Sequence, residues 1–593
     1  MSPDGYAGRI LAVDLSRKTL SDTPLPPVWK DRHLGGRGFG VAAVRERVRP
    51  GTDPFAPDNV LVFAAGPLTG SGMPLGARYD VVTASPLTGT LTSANSGGFF
   101  GTALKRAGYD AVIISGASPT PLYLYIDGQA ELRDASAYYG MGTGETARAI
   151  AADTGEAGIR VAAIGPAGER RCRMAAVMND GGRAAGRGGV GAVMGAKNLK
   201  AVAVLGTGTV GVADPERARD VGRQILRTLK EAGLTTGSLR THGTAGVLPR
   251  INGLGILPTR NFREGMFEGA ENVSGERMTE TLLKGRKPCY ACSVGCGRIT
   301  ESGGVSGEGP EYETIWALGP ACGIDDLPKI AEANYLCNEL GLDTISTGST
   351  IACAMELAED GHLDTGFRFG DAGALAGIVR RIGYREGIGD LLAEGSYRTA
   401  ASVGQPEYSM SVKGQELPAY DPRGLQGLGL NYATSVRGGC HVYGNMLYAE
   451  VIGSPVRLDP YATEGKAEWT KEFQDLGAAI DAAGICIFTE RVLWAPEYAL
   501  MVAAVTGRDI DAKGLLRIGE RIWNLQKLWN IGAGLGRDDD TLPARFLTVP
   551  LRSGPPAGEV WRRDELLPAY YAARGWDEQG VPKPETLRAL DIA

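Results

Sequence analysis

Residues 201–233, AVAVLGTGTVGVADPERARDVGRQILRTLKEAG, contain the point at which the pattern of the chain changes from strand to helix. Residues 201–205 form a short apolar run, which is typical of a buried strand. Asp214 and Pro215 then provide a helix N-cap and a proline at the first helical position, and apolar residues recur at helical spacing as far as Gly233. This segment therefore predicts strands on its N-terminal side and helices on its C-terminal side.

The region before this segment has the pattern of strands and turns. Residues 9–15 alternate between polar and apolar side chains. Residues 122–126, followed by Asp127-Gly128, predict a hairpin with a type I′ turn, because both turn residues accept positive φ angles. Three glycine-dense segments predict loops, at residues 35–40, 93–101 and 180–195.

Helical periods dominate the rest of the chain, at residues 328–340, 496–505 and 515–531. The sequence thus predicts an α+β protein, and its 593 residues are enough for about three or four domains. We expect a β-rich, cofactor-cradling N-terminal domain at 1–208, a helical domain with a cysteine triplet at 209–412, and a helical C-terminal domain at 413–593.

Composition and charge exclude several classes of protein. A net charge of −6 and a pI near 5.6 argue against a nucleic-acid partner, which requires a basic face. No apolar run approaches the roughly 20 residues of a membrane span, and residues 1–9 do not resemble an export signal. We therefore expect a cytoplasmic enzyme that binds neither nucleic acid nor membrane.

The glycine loops have the properties of a ligand cradle. The chain contains 87 glycines, about twice the ordinary share of roughly 7%. Exposed backbone N–H groups in these loops, with Arg78, Arg183 and Arg187 nearby, suit a phosphate or a flat polar heterocycle. The alternative is that the glycines only turn strands in a compact β domain.

Three of the nine cysteines are clustered, as Cys289-x2-Cys292-x3-Cys296. Three thiolates within eight residues can surround one metal centre. Both an iron–sulfur cluster and a structural zinc ion require a fourth ligand, for which Cys486 is one candidate. The spacing alone leaves both centres open, and a non-catalytic zinc-bearing scaffold is the alternative to an enzyme.

Many ordered segments resemble the tungsten-dependent aldehyde oxidoreductases, typified by aldehyde:ferredoxin oxidoreductase, over nearly the full length. They are 34–38 (LGGRG), 85–89 (SPLTG), 94–98 (ANSGG), 183–191 (RAAGRGGVG) running on to 199–200, 257–262 (LPTRNF), the cysteine triplet, 310–314 (PEYET), 341–346 (GLDTIS), 416–424 (ELPAYDPRG) and 481–486 (DAAGIC). The resemblance implies the family fold, in which a β-rich domain forms a base under the cofactor and two helical domains cover it.

The resemblance also implies cofactors and the residues that hold them. The cofactors would be a tungsten atom between the dithiolenes of two pyranopterins, a [4Fe-4S] cluster, and a Mg²⁺ ion that joins the two cofactor phosphates. Cluster ligands would be Cys289, Cys292, Cys296 and Cys486. Pterin contacts would be Arg78 (between cluster and pterin), Gly97 and Arg183, together with two related motifs, Asn338–Gly341–Asp343 and Asp481–Gly484–Cys486. Asn95 and the backbone carbonyl of Ala184 would help to hold the Mg²⁺ ion.

The implied reaction is RCHO + H₂O → RCOOH + 2H⁺ + 2e⁻. Glu313 and His441 match the family positions proposed for acid–base work, with Glu313 as the base and His441 as a hydrogen-bond donor. The two electrons would leave through the cluster to a ferredoxin or a small iron–sulfur subunit. A further NAD-linked subunit and a homo-oligomer remain open as partners besides the small aldehyde substrate.

Three positions depart from the family pattern. Asn338 replaces the aspartate that opens the first pterin motif. Tyr335 stands where some relatives place the histidine of a Glu-x-x-His motif that bridges a dimer through iron, so that we do not expect the bridge here. Cys322 lies in the region that supplies a tungsten ligand in the related benzoyl-CoA reductase branch, and a catalytic subunit of that type is the alternative function.

Overall fold

The computed structural model describes residues 4–592. Residues 1–3 lie outside this range. They are part of residues 1–9, in which we expect no export signal. The strands are β1 Arg9–Asp14, β2 Thr19–Pro24, β3 Leu61–Ala65, β4 Tyr79–Ala84, β5 Leu91–Ser96, β6 Ala111–Ser115, β7 Leu122–Ile126, β8 Ala130–Asp134, β9 Arg160–Ala163, β10 Val177–Asn179, β11 Arg183–Ala185, β12 Leu199–Val204, β13 Leu283–Lys287, β14 Gly297–Ser302, β15 Val305–Glu308, β16 Ser411–Val412 and β17 Gln415–Glu416.

The helices are α1 Pro27–His33, α2 Gly36–Arg47, α3 Phe100–Arg106, α4 Thr143–Thr154, α5 Pro166–Glu169, α6 Val190–Ala196, α7 Pro215–Glu231, α8 Ser238–His242, α9 Leu248–Gly253, α10 Gly275–Thr281, α11 Tyr312–Leu318, α12 Leu327–Leu340, α13 Thr344–Glu359, α14 Leu375–Tyr384, α15 Ile388–Leu392, α16 Ser396–Ser402, α17 Gln426–Thr434, α18 Lys466–Ala483, α19 Ala495–Thr506, α20 Ala512–Gly532, α21 Ala544–Thr548, α22 Arg563–Ala573 and α23 Pro584–Ala589. Within residues 4–592, no helix combines the length and the apolar character that crossing a bilayer requires.

Two six-stranded sheets form the first part of the chain, with the orders β2-β1-β6-β3-β4-β5 and β11-β10-β9-β12-β7-β8. Each sheet contains one parallel pair, β1 with β6 and β12 with β7, and its other pairs are antiparallel. The mixed sheets and the helices that follow confirm the predicted α+β fold class.

Alternating side chains place these sheets in a layered core. Leu11 and Val13 of β1 pack between the two sheets together with α3 and α6, whereas Ile10 belongs to the cluster on the opposite face. That opposite face is covered by α2, and beyond it by α18, α19 and α20. The second sheet packs its outer face on α4. The C-terminal helices therefore reach back onto the first sheet.

Two local predictions are wrong in detail. The hairpin β7–β8 forms, but its loop has three residues, 127–129, and only Gly128 has a positive φ, so that the turn is not type I′. The segment 35–40 does not form a loop, because α2 begins at Gly36. Its glycines serve close packing instead: a Cβ on Gly40 would lie 2.2 Å from Val82 of the sheet below.

Two glycines, one just after a strand of each sheet, lie in direct contact with the ends of two later helices. Gly66 follows β3, and a Cβ there would lie 2.2 Å from the backbone of Ala483, at the end of α18. Gly165 follows β9, and its Cβ would lie 2.4 Å from the carbonyl oxygen of Glu339, near the end of α12. Both helix ends therefore contact a sheet backbone to backbone, where any side chain would separate them.

We expect Gly66→Ala to destabilise the protein, because the added methyl group meets backbone that has no room to move. The penalty should be about 1–3 kcal/mol, measured as a lower apparent melting temperature in thermal unfolding. Gly377→Ala is the control, since a Cβ there meets nothing within 4 Å, and it should leave the melting temperature unchanged or slightly higher. Equal melting temperatures for both variants would contradict the proposed contact.

Candidate functional site

A cavity with a volume of about 380 Å³ lies where the two sheets meet the helical part of the chain. Gly97 and Ala184 line it from the sheets, and Glu313, Asp343 and His441 line it from the helical part. The segment 180–195 also contributes Arg183 and Gly186, and Gly97 belongs to the segment 93–101, so that two of the three glycine-dense segments form part of the cavity surface. The cavity is thus assembled from segments distant in the sequence.

The cysteine triplet and Cys486 meet at one side of this cavity. The triplet lies in the loop between β13 and β14. Leu75 bridges the two segments, because its backbone N–H donates to the carbonyl of Ala291 (2.9 Å) and its carbonyl accepts from the N–H of Cys486 (3.2 Å). Both Leu75 and Ala291 have positive φ angles, which shows how tightly the loop backbones are folded here.

Exposure separates these four cysteines from the other five. Cys289, Cys292, Cys296 and Cys486 are half-buried. The remaining cysteines are buried among packed side chains: Cys172, Cys322, Cys337, Cys353 and Cys440. The four half-buried thiols therefore present sulfur to a shared space, as ligands of a common centre must.

Two kinds of centre take four thiolates. A tetrahedral zinc site holds its sulfurs within roughly 4 Å of one another, whereas a cubane cluster separates its four thiolates more widely. Among residues 4–592, no three His, Cys, Asp or Glu side chains come close enough together to hold a single metal ion.

Arg78 lies beside these thiols. Its Nη2 donates to the Cys486 Sγ (3.1 Å), and its Nη1 donates to the Asn95 Oδ1 (3.3 Å). Burial alone would lower the pKa of Arg78, but the negative potential of Cys486 and Cys289 reverses the effect and raises that pKa. Gly97 completes the contact, because a Cβ there would lie 2.9 Å from the Cys289 Sγ and 3.5 Å from the Arg78 guanidinium.

The two predicted pterin motifs have the same backbone geometry. Gly341 ends α12 and Gly484 ends α18, and both adopt the left-handed conformation, with φ of 72° and 84°. In each motif the glycine N–H donates to the carbonyl three residues earlier, that of Asn338 or Asp481. Asn338 and Asp481 are thus structurally equivalent, although one carries an amide and the other a carboxyl group.

The second residue after each glycine, Asp343 or Cys486, occupies a matching position in the two motifs. Asp343 caps α13 by accepting from the N–H groups of Ile345 and Ser346, and its own N–H donates to Met174. Cys486 occupies the corresponding place after Gly484, and its N–H donates to Leu75. One motif therefore presents a carboxylate, and the other a thiol, at the same point after a helix end.

Asn338 makes a contact that an aspartate could not make. Its Nδ2 donates to the carbonyl of Glu308 at 3.1 Å, and an ionised carboxylate has no hydrogen to donate. Its side chain also lines the cavity. The departure from the family pattern therefore has a local structural role.

The edge strands of the two sheets lie side by side. β5 ends the first sheet and β11 ends the second, and the two strands are in contact. They carry Asn95 and Ala184 respectively, of which only Ala184 is among the residues that line the cavity. The Asn95 Nδ2 donates to Asp80 (3.1 Å), which orients its oxygen towards Arg78.

A cluster of buried charges surrounds the end of α18. The guanidinium groups of Arg37 and Arg437 lie 3.7 and 4.0 Å from the ring centre of Tyr443. Arg37 is also 3.6 Å from Asp481. Burial raises the pKa of Asp80 to about 7, and the nearby Asp481 adds to this rise. The Arg37 Nη1 makes its ion pair with Asp481 without a hydrogen bond, and the Arg437 Nε is buried without a hydrogen-bond partner.

Arg183 lines the other side of the cavity, and Arg187 binds the segments around it. Arg183 lies 2.9 Å from Glu308, and its Nη2 donates to the carbonyl of Lys287 (2.6 Å). Arg187 lies 3.2 Å from Asp343, and it donates to the carbonyls of Gly439 and Glu416, both at 2.7 Å. Arg187 thereby joins the first motif to the loop that carries His441.

Glu313 and His441 face each other across the cavity, with the Glu313 Oε1 3.6 Å from the His441 Nε2. Glu313 accepts from the N–H of Ala419 (3.1 Å) through its other oxygen. Burial raises the pKa of Glu313 to about 8 and lowers the pKa of His441 to about 3. At neutral pH both groups are therefore uncharged, and they do not form an ion pair.

The inward atoms of this pair lack partners within the described structure. The Glu313 Oε1 and the His441 Nδ1 are buried and make no hydrogen bond. The ring of Tyr420 packs 5.7 Å from the His441 ring, and the Tyr312 hydroxyl donates to the carbonyl of Ala419. The pair is thus held in position by its neighbours while its reactive atoms remain free.

Two family models match almost the entire chain. The model described as the N-terminal domain of aldehyde ferredoxin oxidoreductase matches residues 10–206, and that of its domains 2 and 3 matches residues 220–592. This chain belongs to the aldehyde ferredoxin oxidoreductase family. The resemblance found in the sequence is thereby confirmed, and the protein is an oxidoreductase.

Relatives of known name agree with this family. The tungsten-containing aldehyde ferredoxin oxidoreductase of Pyrococcus furiosus is 48% identical over 99% of both chains. The protein of the same name from Thermococcus kodakarensis is also 48% identical, over 99% of both chains. A WOR-like subunit of an aliphatic sulfonate oxidoreductase from P. furiosus is 32% identical over 99% of this chain and 97% of its own.

A solved structure has the same fold. The active-site complex BamBC of benzoyl coenzyme A reductase with 1,5-dienoyl-CoA superposes with a TM-score of 0.87 at 26% identity, covering 99% of this chain and 97% of the other. The predicted fold, a β-rich base covered by helices, is therefore the fold of this aldehyde ferredoxin oxidoreductase family.

Several site residues were missing from the sequence prediction. Arg37, Asp80, Tyr420, Arg437 and Tyr443 all contact the predicted site. Arg37 and Tyr420 stand inside segments that resemble the family, which was the available signal. Their roles depend on which buried atoms they face, and this was not visible in the sequence.

The other two departures from the family pattern, Tyr335 and Cys322, make hydrogen bonds within the protein. The Tyr335 hydroxyl shares a 2.6 Å hydrogen bond with Thr300, and Glu332 pairs with Lys329 at 2.8 Å. The Cys322 thiol donates to the carbonyls of Ala317 and Gly348, and Cys322 is not among the residues that line the cavity.

We expect Glu313 to titrate with a midpoint near pH 8 in the metal-free protein, protonated below this value and ionised above it. Infrared difference spectroscopy should show a carboxylic acid signal that disappears through this range and is missing in Glu313→Gln. Glu585→Gln, an exposed substitution, should leave the signal in place. A midpoint near the ordinary glutamate value of about 4.3 would contradict the effect of burial.

Proposed function

We propose that this chain oxidises aldehydes to carboxylic acids with water, using a tungsten bis-pyranopterin and a [4Fe-4S] cluster. The observation that carries the proposal is the facing pair of Glu313 and His441, whose unpartnered inward atoms share a cavity with the two pterin motifs. The names of the relatives, at 48% identity over 99% of the chain, support tungsten and aldehyde as the metal and the substrate.

The residues present fit the proposed cofactors. Cys289, Cys292, Cys296 and Cys486 would hold the cluster, and Arg78 would lie between it and one pterin. The pterins would contact Gly97, Arg183, Asn338, Gly341, Asp343, Asp481 and Gly484. Asn95 and the carbonyl of Ala184 would hold a Mg²⁺ ion where the two sheet edges meet. The Arg437 Nε, which is buried without a hydrogen-bond partner, supports a polar ligand near this place.

The chain's own residues would position the substrate and move its protons. When bound, the tungsten bis-pyranopterin supplies a Lewis-acidic centre and a two-electron acceptor. Neutral His441 donates an N–H to the aldehyde oxygen and polarises the carbonyl group. The Glu313 carboxylate accepts a proton from the attacking water. Apolar wall residues, including Val247, Leu447 and Phe488, exclude bulk water and so strengthen both interactions.

The alternative, a benzoyl-CoA reductase-type subunit, has less support. Its structural representative is 26% identical to this chain, whereas relatives named for aldehyde oxidation reach 48%. Cys322, the candidate metal ligand for that chemistry, is buried and bonded to two carbonyl groups. We expect aldehyde-dependent dye reduction and no formation of a dienoyl-CoA.

Elemental analysis of anaerobically purified protein tests the cofactor assignment. We expect one tungsten and about four irons per chain, with Cys486→Ser losing the iron and the broad visible absorption of the cluster. Cys353→Ser is the matched control, since Cys353 is buried away from the four thiols, and it should retain the iron. Zinc without tungsten or iron, from a host supplied with tungstate, would refute the assignment.

Glu313→Gln should lower kcat for aldehyde oxidation by about 10²- to 10⁴-fold with tungsten and iron unchanged, because the amide cannot accept a proton. In the wild type, the rate should rise with pH up to about 8, as the carboxylate forms. The variant should lose this rise. Wild-type turnover in Glu313→Gln with full metal content would show that another group is the base.

A further inference from the structure

The first two turns of α13 carry many hydroxyl groups for a helix in the protein interior. Residues 344–350 read Thr-Ile-Ser-Thr-Gly-Ser-Thr, and residues 345–350 are all buried. Serine and threonine are neutral to unfavourable inside helices, because their hydroxyls compete with the backbone hydrogen bonds. A buried hydroxyl also needs a partner, since it has left water behind. Packing alone therefore does not explain this composition.

Two of these hydroxyls have no partner among residues 4–592. Thr344 shares a 2.7 Å hydrogen bond with Thr314, and both residues line the cavity. The hydroxyls of Ser346 and Ser349, by contrast, are buried and make no hydrogen bond. Buried oxygens of this kind are ordinarily satisfied by internal water. The start of α13 therefore suits bound water that begins beside the cavity wall.

A buried carboxyl group lies one turn further along this helix. Glu416 of β17 is fully buried, and the Thr350 hydroxyl donates to its Oε1 at 3.4 Å. Ser346, Ser349 and Thr350 share one face of α13, because residues three and four apart lie side by side. The Glu416 Oε2 has no hydrogen-bond partner. One oxygen of this carboxyl group is thus bonded by the protein, and the other is free for a water molecule.

An unbroken series of hydrogen bonds leads from Glu416 towards the surface. Its Oε1 accepts from the Ser396 hydroxyl at 2.9 Å. That hydroxyl shares a 2.7 Å hydrogen bond with Ser409, which shares one of 2.8 Å with Ser411. Ser409 and Ser411 line a surface depression of about 400 Å³, whose lining includes the exposed Glu407. We call Glu416, Ser396, Ser409 and Ser411 the serine row.

The buried end of the serine row lies close to the proposed proton acceptor. Arg187 donates both to the backbone carbonyl of Glu416 (2.7 Å) and to the carboxylate of Asp343 (3.2 Å), so that one guanidinium group joins the two residues. Asp343 and Glu313 line the same cavity. Burial raises the pKa of Glu313 to about 8, and the nearby charge of Asp343 adds to this rise. The serine row therefore starts near the group that must release a proton.

We propose that the hydroxyl face of α13 and the serine row form a proton exit from the cavity to the surface at Ser411, with Glu416 as the proton carrier between them. This inference rests on the proposed function, in which each aldehyde oxidised releases two protons and Glu313 accepts one of them. Glu313 has to lose that proton before the next turnover.

The transfer moves one proton and changes no other bond. Water on α13 passes the proton from Glu313 to the Oε2 of Glu416, and Glu416 gives up a proton from Oε1 to Ser396. Each hydroxyl of the row then donates one proton outward as it accepts another, because a hydroxyl is both donor and acceptor. Water at Ser411 takes the last proton, and the hydroxyls rotate back.

Glu416 also has a structural role, which substitutions can separate from the proposed one. Its Oε1 accepts from the backbone N–H of Ser396 (2.8 Å), the first residue of α16. Glu416→Gln keeps an oxygen for this bond and nearly the same volume, but an amide cannot pass a proton between two oxygens. Ser396→Ala keeps the N–H and removes only the hydroxyl. A purely structural role would change the melting temperature and leave proton release unchanged.

The experiment follows the first turnover of the intact holoenzyme by stopped flow, with acetaldehyde or benzaldehyde as the reductant and a pH-indicator dye in weak buffer. Glu416→Gln and Ser396→Ala should reduce the cluster at the wild-type rate but release protons about tenfold more slowly or worse. Their kcat should fall while kcat/KM for the aldehyde stays unchanged, because the slowed step follows aldehyde oxidation. Ser402→Ala is the matched control, an exposed hydroxyl on α16 that bonds to Thr399, and it should change none of these rates.

Wild-type proton release in Glu416→Gln and Ser396→Ala would overturn the proposal, and so would equal slowing in Ser402→Ala. If Glu416→Gln lowers the melting temperature, Ser396→Ala decides. Failure of both aldehydes to reduce the wild-type enzyme would instead refute the proposed function. Exchange of the Glu313 proton in D₂O, followed by the infrared shift of its carboxylic acid signal, then tests the exit without turnover. Glu416→Gln and Ser396→Ala should exchange about tenfold more slowly, and exchange at the wild-type rate would contradict the exit.

Discussion

The direct contact between backbone atoms of two helix ends and two sheets is the constraint on which the rest of this structure depends. Gly66 and Gly165 leave no space for a side chain between each sheet and the helix end above it. Because both contacts are made by main chain, the distance between sheet and motif does not depend on side-chain rotamers. The two motifs can therefore present Asp343 and Cys486 at fixed positions, as a large rigid cofactor would require.

The same packing explains why so much charge is buried around the cavity. Arg37, Arg78, Arg187 and Arg437 approach Asp80, Asp343 and Asp481 at the ends of elements that glycines hold close together. Buried charges are costly unless they are paired, and several atoms here remain without a partner. A bound polar ligand would supply the missing partners, and under the proposed function we therefore expect cofactor binding to stabilise the folded chain.

The proposed function separates two tasks in space. Proton transfer would belong to Glu313 and His441, which are buried, uncharged at neutral pH and oriented by tyrosines and a backbone N–H. Electron transfer would belong to the cysteine side, where Arg78 stands between the thiols and Asn95.

The sequence by itself determined the fold class, the strands around residues 9–15 and 201–205, the capped helix that follows Asp214, and the family. These features depend on local signals, namely apolar period, N-caps and ordered motifs, which act over a few residues. Tertiary structure alone decided that the glycines at 35–40 open a helix, that Asn338 bonds to Glu308, and that Arg37 and Arg437 flank Tyr443. It also decided which cysteines are half-buried and how far Glu313 and His441 shift in pKa, because burial is set by elements hundreds of residues apart.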